Sequence, residues 1–181
     1  MLFHHFYLVL LSFLVHLTSV HGIPIRDVGF PGPASLHKRA EELTVRLVCY
    51  QVQKYHVALI VDRDEYDVSY RYHATQRGLT RTFELSRDRR EDGSYVDSGI
   101  PKLVANVPLT SNADDWDKID DVINDTSLLP SSGYDCWQYI KKALQLMENS
   151  GWVSSGGAES SYNDLLAKAT AAGMRITCQT F

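Results

Sequence analysis

The chain is short of cysteine and of positive charge. It has three Cys among 181 residues, and 18 Lys+Arg against 22 Asp+Glu give a formal net charge of −4. Three cysteines cannot build a dense disulfide scaffold. A mildly acidic chain lacks the general electrostatic reason to bind nucleic acid or anionic membranes. The cysteines and histidines show no short ligand spacing such as Cys-x-x-Cys, which disfavours a metal site, and no pattern asks for a cofactor. No internal repeat and no second globular domain are visible. What is present is ordinary for a folded protein: 44% hydrophobic and 22% charged residues. The length predicts one domain with appendages.

The appendage lies at the N-terminus. The apolar run from Phe6 to Val15 is too short to span a bilayer. With Val20 and Gly22 as small residues at positions −3 and −1, residues 1–22 read as a secretory signal peptide cleaved after Gly22. The competing readings are a short anchor, which the length disfavours, and an apolar N-terminal helix. Residues 23–39 carry Pro24, Pro31 and Pro33 with Gly29 and Gly32, which suit neither a helix nor a central strand. This stretch ends in Lys38-Arg39 and resembles a propeptide closed by a kexin-type processing site of fungal secreted proteins; the competing reading is a solvated linker. Both cuts leave residues 40–181 as a single mature domain. Removing Arg26, Lys38, Arg39 and Asp27 takes 18 and 22 to 15 basic and 21 acidic residues, a net charge of −6. Five of the seven histidines go as well, so only His56 and His73 remain, while Cys49, Cys136 and Cys178 all stay.

Within that domain, 43–52 alternates around β-branched residues and predicts a strand, and 55–61 is a continuous apolar run that fits a strand buried on both faces. Residues 62–65 form a polar turn and 66–73 alternates again, predicting a hairpin. A fourth strand is expected at 79–85, a charged loop at 86–93 and a short edge strand at 102–107. Then the pattern turns helical. Ser111-Asn112 suit a cap for a helix containing Trp116, Ile119, Val122 and Ile123. A strong helix spans about 135–149 and is closed by Gly151; a Ser/Gly-rich loop at 154–160 and a helix at 162–172 follow. A last strand is expected at 174–181. The whole reads as an α+β domain, an antiparallel sheet of about four to six strands packed against two to three helices.

Chemistry gathers around Cys136, which starts the 135–149 helix, where unpaired N–H groups and the helix dipole favour a thiolate. A cysteine nucleophile needs a base, and the two remaining histidines are the choices. The competing reading makes Cys136 a small buried hydrophobe and each histidine a satisfied core residue. In an oxidising route a Cys49–Cys178 bridge would leave Cys136 outside it. Its partners lie 178 − 49 = 129 positions apart, and closing such a loop stabilises by about 4–5 kcal/mol in the chain-entropy model. The pairings Cys49–Cys136 and Cys136–Cys178 would each remove the nucleophile, and spacing does not choose among the three. Asn124-Asp125-Thr126 is an N-glycosylation sequon.

The segments 55–61 (YHVALIV), 70–73 (YRYH) and 134–140 (YDCWQYI) together resemble the circularly permuted papain-like domains, including the lecithin-retinol-acyltransferase-like branch. They are also similar to an uncharacterised fungal domain family with a His-bearing strand before a Cys-aromatic helix. The resemblance covers residues 43 to about 153. It implies that Cys136 is the nucleophile, His56 its base and His73 an orienting or polarising group. The chain departs from the pattern at Asp135, where many members have Asn; a neighbouring carboxylate raises a thiol pKa unless it is occupied as the helix cap. Two functional expectations result. One is a small secreted, effector-like thiol hydrolase or acyltransferase acting on an acyl or amide substrate, outside the cell or on a host. The other is a non-enzymatic secreted protein that engages or inhibits a host protein. Neither requires nucleic acid or, after processing by the kexin-type protease, a membrane.

Overall fold

The structure, a computed structural model, describes residues 41–51, 56–76, 82–100, 102–129 and 136–174. Five strands, β1 (Leu43–Tyr50), β2 (His56–Arg63), β3 (Val68–Gln76), β4 (Phe83–Glu91) and β5 (Lys102–Asn106), form one sheet in the order β4-β3-β2-β1-β5. Every pairing is antiparallel. Among the described residues three helices follow: α1 (Trp116–Ile123), α2 (Cys136–Asn149) and α3 (Gly157–Ala171). The fold is α+β, as the sequence pattern predicts.

Strand alternation sends successive side chains to opposite faces. Val45, Leu47 and Cys49 of β1, Val57, Leu59 and Val61 of β2, and Tyr70 and Tyr72 of β3 join one large core with Trp116, Ile140, Leu144 and Leu165 of the helices. The residues between them, Val48, Tyr50, Ala58 and Ile60, form a smaller cluster on the other face. Among the described residues, no helix covers that second face. It is crossed instead by the β4–β5 connection, which must pass from one edge of the sheet to the other. This strap contains a turn of 3₁₀ helix (Tyr95–Asp97) that seats Tyr95 and Val96 on the smaller cluster. The continuous apolar run in β2 is therefore buried on both sides, by helices below and by the strap above.

The departures from expectation have local causes. The fourth strand lies at Phe83–Glu91, mostly within the stretch read as a charged loop. Its charges suit an edge strand and find partners: Asp88 with Arg71, Arg87 with Asp120. Helix α1 begins at Trp116 with Asp115 in the N-cap position, not at Ser111-Asn112. Asn112 instead closes a turn in which its N–H donates to Thr110 Oγ1 (3.2 Å). Helix α3 begins at Gly157, inside the stretch read as a loop. Its start is held from α2, where the Glu148 carboxylate accepts from the N–H of Gly156 (2.8 Å) and of Ala158 (3.0 Å), a long-range cap that no local pattern announces. Gly151 and Gly173 end their helices with φ of 75° and 77°. The last expected strand lies outside the described residues, apart from Met174, which is buried in the core.

Candidate active site

The helix-free face carries both His56 and His73. His56 opens β2 and pairs with Tyr50 of β1. It shares the parity of Ala58 and Ile60, so it faces away from the helices. His73 shares the parity of Arg71, which pairs with Ile60 on that same face. The two imidazoles are hydrogen-bonded, Nε2 of His56 to Nδ1 of His73, with ring centroids 4.5 Å apart and planes at 72°. Beyond them, His73 Nε2 lies 3.1 Å from Asp88 Oδ2 on β4. Arg71 Nε donates to that same carboxylate oxygen at 2.8 Å, and the Ser86 hydroxyl donates to the other oxygen at 3.3 Å.

These contacts fix the tautomers. Burial raises the Asp88 carboxyl pKa, but Arg71 and His73 outweigh it and hold the group below the ordinary carboxylate value. An ionised carboxylate only accepts, so His73 Nε2 carries the proton and its Nδ1 accepts from His56 Nε2–H. Nδ1 of His56 is then the lone pair left at the end of an Asp88–His73–His56 relay. Burial, with help from His73 and Arg71, lowers the His56 pKa from 6.5 to about 4. Burial and Arg71 also lower His73. Both rings are neutral at pH 7, so the His56 lone pair is available, and the burial that keeps it so also weakens it as a base.

Aromatic side chains frame the relay. The Arg71 guanidinium sits 4.9 Å from the centre of the Tyr95 ring and 5.9 Å from that of Tyr50. The strap thus fastens onto the residue that orients Asp88. Tyr50 is 4% exposed, and burial raises its hydroxyl pKa against the pull of the nearby Arg71.

The structure brings together His56 and His73, two of the three residues expected to be catalytic. It places Cys136 elsewhere: the first residue of α2, 9% exposed and part of the core between helices and sheet. Strand alternation assigns His56 to the face opposite that core. Cys49 is buried in β1 with its sulfur 3.7 Å from Met174 Sδ. No disulfide joins Cys49 to Cys136, and Cys178 lies outside the described residues. So do Gly22, Lys38, Arg39 and Asp135. Asn124 is exposed at the C-cap of α1.

The sequence pattern does not single out Asp88 or Arg71 as site residues. Asp88 is legible only once 86–90 is read as a strand: Ser86, Asp88 and Arg90 then share a face with Arg71 and His73. Among the described residues, no three His, Cys, Asp or Glu side chains converge to hold a metal ion, and no helix is long and apolar enough to cross a membrane. No protein-family model, no curated protein and no solved structure matches the chain, so the reading of this site rests on its own geometry.

Proposed function

We propose that this is a small secreted, effector-like protein whose helix-free face performs general acid–base catalysis, hydrolysing an ester or amide carbonyl outside the producing cell or on a host. The observation that carries the reading is the hydrogen-bonded Asp88–His73–His56 relay, held by Arg71 and ending on a neutral imidazole. His56 takes the proton of a water as the water oxygen bonds to the carbonyl carbon, and returns that proton to the leaving group. His73 passes the polarisation on, and Asp88 stays ionised to hold the tautomer. Cys136 has no part in this chemistry. Secretion rests on the leader sequence: material collected from medium should begin at Ala40.

The test is turnover of a panel of chromogenic esters and anilides by the secreted chain. A general base contributes about 10²–10⁴-fold, so His56→Gln should lose at least about 100-fold. Asp88→Asn, which reverses the preferred tautomer, should lose nearly as much while the protein stays folded. Turnover that is unchanged in His56→Gln would sink the relay. Absence of turnover on the whole panel, with a host protein still captured by His56→Gln, would replace catalysis by binding.

A further inference from the structure

We infer that Asn124 is a site of N-glycosylation, taking an oligosaccharide from a lipid diphosphate carrier as the chain enters the secretory route. The inference rests on the secretion reading above and adds a covalent modification to it. Of the five asparagines, only Asn124 heads an Asn-x-Thr or Asn-x-Ser triplet. Such a triplet is an acceptor only where the fold leaves it on the surface.

Here the fold does so. Residues 124–127 are all exposed, between Ile123 and Leu128, which are both buried in the core. The ends of this short loop are fixed. The Asn124 N–H donates to the Asp120 carbonyl (2.9 Å) and closes α1, while the Tyr139 hydroxyl of α2 donates to the Ile123 carbonyl (2.7 Å). The Asp125 carboxylate accepts from the Ser127 N–H (2.8 Å) and caps the 3₁₀ turn Thr126–Leu128. The Asn124 amide and the Thr126 hydroxyl, by contrast, make no side-chain hydrogen bond among the described residues. Those are the two groups the modification needs: the amide nitrogen that receives the sugar, and the hydroxyl that completes the acceptor signal.

In the transfer, Asn124 Nδ2 bonds to the anomeric carbon of the first sugar as that carbon's bond to the diphosphate oxygen breaks. The lipid diphosphate leaves and the amide loses one proton, so no oxidant or reductant is needed. Because none of residues 124–127 is buried, the glycan displaces no packed side chain. Trp116, Ile119 and Ile123 place α1 in the core on the helix-covered side of the sheet, so the sugar adds no bulk to the relay face.

Translation of the full chain with microsomes tests the site, with entry read as protection from added protease. A parallel arm carries an added leader from an established secreted protein, so that its entry does not depend on residues 1–22. The entered chain should gain one glycan, seen as a slower-migrating band that peptide N-glycosidase collapses. Asn124→Gln and Thr126→Ala should abolish that band, whereas Thr126→Ser, which keeps the hydroxyl, should retain it. Entered chain that stays unshifted would overturn the inference, as would a shift that survives in Asn124→Gln. Glycosylation seen only behind the added leader would uphold the acceptor site and refute the secretion reading instead.

Discussion

The same three central strands present two unlike faces. Toward the helices they show Leu47, Leu59, Val61 and Tyr72, all essentially inaccessible. That side admits polar groups only where they are satisfied: the Tyr72 hydroxyl donates to Asp120 and accepts from Arg87 Nε at 3.3 Å. On the other side the residues between them include His56, Arg71 and His73, linked to Asp88 and only partly covered by the strap. The first face is built mainly by burial, the second by a smaller buried cluster together with paired charge and hydrogen bonds. A sheet closed on one side by helices and crossed on the other by a single connection can thus keep its stability and its chemistry on separate residues of one strand.

Two substitutions in β2, one on each face, break the comparison most directly. Leu59→Ala empties the helix-facing core and should cost about 3–4 kcal/mol, read as a lower midpoint in urea unfolding. His56→Gln, three positions away on the other face, should cost less than about 1 kcal/mol at pH 7 while removing activity. If the two costs were similar, the helix-free face would be part of the stabilising core and not a separate surface.

The next largest effect is on pH dependence. A histidine kept neutral in the folded state at a pKa of about 4, against 6.5 when unfolded, binds fewer protons folded than unfolded between those values. Its contribution to stability is full above pH 6.5 and is lost as pH falls toward 4. At 1.36 kcal/mol per pH unit this is about 3 kcal/mol. His73, lowered in the same direction, adds to the slope. Unfolding free energies measured from pH 7.5 to 4 should show this acid limb, and His56→Gln should flatten it. A limb of equal size in the variant would assign it to other groups.

The covered face was legible in the sequence because burial writes periodicity. The apolar run of β2, the alternation of β1 and β3, and Trp137, Ile140, Leu144 and Met147 on α2 could be placed without coordinates. The relay was half legible. His56 and His73 stood out as the histidines left after the leader, but their face depends on register, and a shift of one residue reverses it. The pairing of Leu59 with Tyr72 sends both imidazoles away from α2, and no local pattern around Cys136 reports that. Asp88 was hidden because an edge strand rich in charge reads as a loop. The start of α3 was hidden because Glu148, which caps it, lies in the preceding helix.

A smaller test concerns how tightly the covered side is closed near that start. A Cβ built on Gly157 would fall 2.7 Å from Pro108 Cγ, 2.8 Å from Ser154 Oγ and 2.9 Å from Val153 Cγ1. Overpacking of this kind costs about 1–3 kcal/mol. Gly157→Ala should therefore destabilise, although alanine is the better helix former. Its effect should appear in unfolding without altering the acid limb, because the relay lies on the other side of the sheet. A stabilised Gly157→Ala protein would mean that the 108–109 and 153–154 segments yield easily.

The smallest effect is expected at the outer edge of β5, where the covered side meets solvent. Lys168 of α3 donates to the Val104 carbonyl (2.9 Å) and to Asp164 (2.6 Å), one turn earlier on the helix. Both ion-pair side chains are substantially exposed, and exposed i,i+4 pairs contribute only about 0.3–0.5 kcal/mol. The carbonyl bond is open to replacement by water. Lys168→Met should thus cost no more than about 0.5 kcal/mol, and 0.5 M salt should abolish most of the difference, since screening acts on exposed pairs first. A cost above about 1.5 kcal/mol, indifferent to salt, would show that the lysine stem is packed as part of the core. In that case the boundary of the covered face would run one strand further out than burial alone places it.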